Sequence, residues 1–141
     1  MRSVSEDPNP QTWTCRLQTQ DGRLPDLKAL SRCIRQVGNP FSLRGVEATV
    51  RGWLVREDGQ LVLRVSGSNE VLGLAPLRRK VQWDPSSKRA YPPTRKEWDA
   101  YYGLRMEWAG QARRIQVVGP LVEARENGPL ILEVRQFMWG W

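Results

Sequence analysis

One repeated pattern restricts the fold of this chain more than any other feature. ATVRGWLVRED leads into GQLVLRV, and IQVVGPLVEARE leads into NGPLILEV. Each copy reads as a V-x-G-x-L-V strand, a glycine-containing turn and an L-x-L-x-V return. Apolar residues at period two mark strands with one face buried. Asp58-Gly59 and Asn127-Gly128 are the dipeptides that close tight hairpins. Gly52 and Gly119 occupy equivalent mid-strand places, where the missing Cβ lets a strand bend sharply or pass close to another backbone. A chain that bends two strands in the same way is expected to curl its sheet into a small barrel.

The other elements set the order. A third strand is expected from Glu70 to Ala75, followed by an irregular connection over residues 76–93. Thr94-Arg95-Lys96-Glu97 is a capping box, so a helix is expected to start there, ending before Gln111. It carries Trp98, Tyr101 and Tyr102, and Trp98 is the expected core plug. Two further strands are expected over Arg114–Val122 and Leu130–Phe137. Three strands, a helix and two strands over about Phe41–Phe137 resemble the OB fold. The resemblance implies a mainly β (α+β) domain: a five-stranded barrel with a helix between its third and fourth strands, and a ligand face on the second and third.

Ahead of the barrel domain (residues 41–141), residues 1–10 read as a disordered lead and 11–40 as a strand-helix element. Trp13, Cys15, Leu17 and Thr19 alternate as a strand, and Leu27, Leu30, Ile34 and Val37 fall at helical spacing. With the strand that follows, this element is similar to half of a heavy-metal-associated domain. It lacks that family's Cys-x-x-Cys pair, so the resemblance implies no metal. KVQWDPSSKR and LEVRQF are similar to stretches of uncharacterised bacterial proteins, which implies no activity.

Several classes of chemistry are disfavoured by what the sequence omits. It has no histidine and only two cysteines, Cys15 and Cys33, which removes the usual general base and any four-ligand zinc site. A single disulfide is still possible, although Cys33 reads as a buried thiol beside Ile34. Neither G-x-x-x-x-G-K-[ST] nor G-x-G-x-x-G is present, and no nucleophile comes with an orienting base. The expectation is a non-enzyme with no cofactor and no metal. No stretch reaches about eighteen apolar residues, and the polar opening MRSVSEDPNP is unlike a signal peptide. A cytoplasmic protein with no membrane partner is therefore expected.

Charge indicates the partner class. Lys plus Arg number 22 against 15 acids, a net +7, so anionic partners come first. Between Arg78 and Lys96 seven cations, Arg78, Arg79, Lys80, Lys88, Arg89, Arg95 and Lys96, meet one acid, Asp84, so this connection carries +6. Trp83 and Tyr91 lie among them. Cations that neutralise phosphates beside aromatic planes that stack bases are what single-stranded nucleic acid requires. Arginine outnumbers lysine 18 to 4, and guanidinium suits phosphate and ring stacking.

On the first barrel strand Arg51 and Trp53 are expected to face outward, with Arg64 nearby on the second. The expected nucleic-acid-binding set is therefore Arg51, Trp53, Arg64, Arg78, Arg79, Lys80, Trp83, Lys88, Arg89, Tyr91 and Arg95, contacting single-stranded DNA or RNA. The alternative is a protein-interaction or small-ligand module in which the connection is merely solvated and Trp83 covers the barrel end. Trp139 and Trp141, in the closing MWGW, are the expected contacts for a protein partner, unless they wrap back over the barrel.

Overall fold

The period-two stretches around Gly52 and Gly119 become the wall of a barrel. The computed structural model describes residues 4–5, 17–18, 24, 26–29, 45–125 and 128–140. Ahead of the barrel, β1 (Val4–Ser5) pairs antiparallel with β2 (Leu17–Gln18). Residues 27–29 are helical, and the Asp26 carboxylate accepts from the Lys28 and Ala29 N–H groups at 3.1 Å, as a helix cap does. The remainder of the expected lead, strand and helix, with Cys15 and Cys33, lies outside the described residues.

The barrel begins with β3 (Val46–Glu57), β4 (Gln60–Val65) and β5 (Val71–Pro76). After the small hairpin β6 (Trp83–Asp84) and β7 (Arg89–Ala90) comes the helix α1 (Arg95–Glu107), then β8 (Arg113–Glu123), β9 (Leu130–Val134) and β10 (Gln136–Trp139). Pairing runs β3-β4-β5-β9-β8 and returns to β3, closing five strands into a cylinder. Within it, β5 and β9 are parallel and the other pairs antiparallel. With a helix between the third and fourth barrel strands, this is a mainly β, OB-like barrel.

Backbone proximity explains the two glycines. A Cβ on Gly52 would overlap the Arg64 carbonyl oxygen, and one on Gly119 would overlap the Glu133 carbonyl oxygen. Each is thus a place where a neighbouring strand comes too close for any side chain.

The last expected strand is interrupted. Leu132 lies opposite Leu121 and Gln136 opposite Val118, so four steps on one strand match three on β8. The extra residue forms a bulge at Arg135, whose N–H donates to the Val118 carbonyl at 2.9 Å. A bulge re-aims a side chain, and here it sends the Arg135 guanidinium to Glu47 and Glu97.

The barrel interior is filled by Leu54, Leu63, Leu72, Ile115, Val117, Leu132 and Val134, all fully buried. Each contributes about 1.5–3 kcal/mol of apolar burial. From α1 the plug is Leu104, also fully buried, whereas Trp98 is 51% exposed. The expected plug is therefore corrected. Glu97 turns inward to Lys80 and Arg135, and the next residue lies about 100° further round a helix, which carries Trp98 toward solvent. Among the described residues, no helix is long and apolar enough to cross a membrane.

Candidate functional site

Alternation along β3 buries Val50, Gly52 and Leu54 and leaves Arg51 and Trp53 exposed. Antiparallel register then sets Trp53 opposite Arg64 on β4 and opposite Arg114 on β8. Val71 of β5 continues the row beyond Arg64. The Trp53 indole is 42% exposed, and the Arg114 guanidinium lies 5.6 Å from its ring centre. Arg64 Nη2 donates to Glu57 Oε1 at 2.7 Å, and Arg51 Nε donates to Gln116 Oε1 at 2.8 Å. Gln116 is neutral, so the Arg51 charge is held in place but not cancelled. An accessible aromatic plane thus sits between two arginines, with a third, Arg51, two residues back on the same face of its own strand.

Arginine-tryptophan packing recurs on the opposite face of the same two strands, β3 and β8. Arg56 lies 4.9 Å from the Trp108 ring centre and Arg113 lies 4.0 Å from that of Trp139. Successive residues of a strand point to opposite faces, so Arg113 meets Trp139 while Arg114 meets Trp53. Each such stack contributes about 0.5–1 kcal/mol where exposed and more where desolvated. Trp108 Nε1 donates to the Gln111 carbonyl and Trp139 Nε1 to Glu107 Oε2, both at 2.9 Å. Trp139 also meets Phe137 edge to face at 5.7 Å and packs against the core. The structure therefore places Trp139, expected as a contact for a partner, back on the barrel; Trp141 lies outside the described residues. Sequence reasoning missed Arg56, Arg113 and Arg114. Their signal was the pairing of the first and fourth barrel strands, which sets Arg114 across from Trp53.

The basic connection is distributed differently. Arg78 donates to Glu133 through its backbone N–H at 3.0 Å and through Nε at 2.9 Å. Lys80 Nζ lies 3.0 Å from Glu97 Oε1 with both side chains largely buried. Arg95 pairs with Asp99 at 2.8 Å one turn along α1. Three of the seven cations are thereby matched with carboxylates. Arg79, Lys88, Arg89 and Tyr91 are exposed around the β6–β7 hairpin, and Trp83 is half-buried. Asp84 closes that hairpin turn; the Ser87 hydroxyl, then the Ser86 N–H and hydroxyl, donate to it and lower its pKa.

The connection is anchored to the start of β3. Val81 lies beside Gly45, and Gln82 Nε2 donates to Glu47 at 3.1 Å, six residues before Trp53 along the strand. The expected set thus divides into a group on the sheet face, Arg51, Trp53 and Arg64, and a group around the hairpin.

Beneath the connection lies an ionic chain that sequence reasoning did not find. Lys80 meets Glu97, Glu97 Oε2 meets Arg135 Nη1 at 2.9 Å, and Arg135 grips both Glu47 oxygens at 2.7 and 2.8 Å. Burial pushes the Glu97 pKa up, but the Thr94 N–H, Arg135 and Lys80 pull it down further, from 4.5 to about 2. The hydrogen bonds from Arg135 to Glu47 lead the causes that raise the arginine's own pKa. Two acids and two bases balance, so the chain latches the connection to the barrel without displaying net charge.

Among the described residues, no group of three or more Cys, Asp or Glu is arranged to hold a metal. A shallow groove of about 350 Å³ runs over Ala75, Pro76, Val122 and Ile131, edged by Arg78, Glu123 and Glu133. No protein-family model, no curated protein and no solved structure matches the chain.

Proposed function

We propose that this barrel is a non-catalytic module that binds single-stranded nucleic acid across the outer face of β3, β4 and β8. The observation that carries the reading is the accessible Trp53 indole flanked by Arg64 and Arg114. A base stacks on the indole, contributing about 1–3 kcal/mol whatever its identity. Arg51, Arg64 and Arg114 neutralise the phosphates on either side and release counterions. Arg64 exchanges Glu57 for a phosphate, so its net gain is smaller than that of Arg51. The hairpin residues Arg79, Lys88, Arg89 and Tyr91 form a second, peripheral group.

Fluorescence titration with dodecathymidylate and dodecauridylate at low and moderate salt tests the reading. Tryptophan quenching should accompany binding, and affinity should fall as salt rises. Trp53→Ala should weaken binding roughly 5- to 150-fold, the equivalent of the loss of one stacked base. No binding of either oligonucleotide at low salt would end the proposal.

A further inference from the structure

We propose that Glu57 gives the sheet face a preference for guanine, its carboxylate accepting from N1–H and N2–H of the base next to the one stacked on Trp53. The inference rests on the reading of this face as a nucleic-acid site and adds a base preference to it. Glu57 lies in the same outward phase of β3 as Trp53. Its Oε1 accepts from Arg64 Nη2 at 2.7 Å, with the side chains 40% and 61% exposed. An ion pair so open to water contributes little to stability and yields to a better partner. Register sets Arg64 beside Trp53, so the phosphate next to the stacked base takes Arg64 and leaves Glu57 unmatched.

The surroundings of Glu57 offer no replacement. Val55 and Val62, paired between Glu57 and the Trp53–Arg64 row, are apolar, and Gln60 opposite Glu57 is neutral. Asp58 beside it is a second acid. Arg56 is in the opposite phase and stacks on Trp108. A carboxylate left beside a polyanion is repelled unless the ligand itself supplies donors. A carboxylate only accepts, through two neighbouring oxygens. Guanine matches them with two adjacent donors, N1–H and N2–H. Adenine and cytosine offer one amino group each. Thymine and uracil offer a single N–H set between two carbonyl oxygens, which face the carboxylate with like charge. Guanine therefore ranks first and thymine and uracil last. The contact falls to the neighbouring base because Glu57 is four residues from Trp53 on β3, about 13 Å along the strand, and the Arg64 side chain spans the gap.

Fluorescence titration with dodecathymidylate, an alternating thymidine-guanosine dodecamer and its thymidine-inosine counterpart tests the proposal, in lithium chloride to keep guanine strands open. Inosine keeps the ring, O6 and N7 of guanosine and lacks only the N2 amino group. Wild-type protein should bind the guanosine dodecamer about tenfold more tightly than dodecathymidylate, and inosine should lose much of that gain. Glu57→Ala should bring the three affinities together while keeping the wild-type circular dichroism spectrum. Arg64→Gln should weaken all three yet retain the guanosine preference, since Glu57 is then free from the start. Equal binding of the guanosine and inosine dodecamers, or a preference that survives Glu57→Ala, would overturn the proposal. A preference for dodecauridylate over dodecathymidylate that Glu57→Ala removes would also overturn it, by assigning the carboxylate to the ribose 2′-OH. Equal affinity for all three with quenching that Trp53→Ala abolishes would defeat the base preference alone, whereas no binding of any would defeat it together with the reading it rests on.

Discussion

Glu97 shows how one residue can carry more than its local sequence implies. In TRKE it reads as the acid of a capping box, and the box forms: its N–H donates to Thr94 Oγ1 at 3.2 Å and its carboxylate accepts from the Thr94 N–H at 2.9 Å. The remaining lone pairs go to Lys80 and Arg135, which lie 17 and 38 positions away. Its folded-state pKa of about 2 is below the ordinary 4.5. The resulting stabilisation is thus fully present above about pH 4.5 and is lost as pH falls toward 2. A shift of that size corresponds to about 3 kcal/mol. Urea denaturation between pH 7 and pH 2.5 should show this loss for the wild type. Glu97→Gln should be destabilised by about 3 kcal/mol at pH 7, because Lys80 and Arg135 lose a buried counter-charge, and should show a flatter acid limb. An unchanged acid limb would remove Glu97 from this role.

At the scale of elements, the hairpins and the helix start were legible because their determinants are local. Asp58-Gly59 turns β3 into β4, with both residues at positive φ. Thr94→Ala removes one cap and should cost about 1 kcal/mol in thermal unfolding. Gly119 is different in kind: the repeat marks it, but the barrel decides the cost of changing it. Gly119→Ala places a Cβ on the Glu133 carbonyl oxygen and should destabilise by about 3 kcal/mol. A melting temperature within a degree of wild type would contradict that close approach. The bulge at Arg135 leaves only a slip of phase in the sequence, Leu132 and Val134 falling at even positions and Phe137 and Trp139 at odd ones across Arg135-Gln136, and the local pattern does not say what the slip is for. It arises where a strand that closes the barrel with β5 and β8 must also continue along β8 as β10.

At the scale of the whole molecule, contiguity in sequence and proximity in space part company. The connection from Arg78 to Lys96 holds most of the chain's net charge on paper, yet Glu133 and Glu97 match two of its cations. The sheet-face arginines are scattered over the sequence and converge through strand pairing. Salt dependence distinguishes the two groups. If Arg51, Arg64 and Arg114 contact phosphate, the logarithm of affinity should fall against the logarithm of salt with slope near −2, at ~0.7 per phosphate on a single strand. Recruitment of Arg79, Lys88 and Arg89 as well would steepen it to about −4. Arg114→Gln should reduce the magnitude by about 0.7, whereas Lys88→Gln with Arg89→Gln should leave it unchanged.

Local chemistry alone settled the strand periods, the turns, the cap, the two bend points and the excess of positive charge, because each depends on neighbours a few bonds away. Which cations face an aromatic ring, which are matched with carboxylates and which helix face stays exposed depended on barrel closure. Closure brings Trp53 within reach of Arg114, sixty-one positions on, and Arg135 within reach of Glu47, eighty-eight positions back. Partners so distant leave no periodic trace in the chain, so only the folded cylinder could pair them.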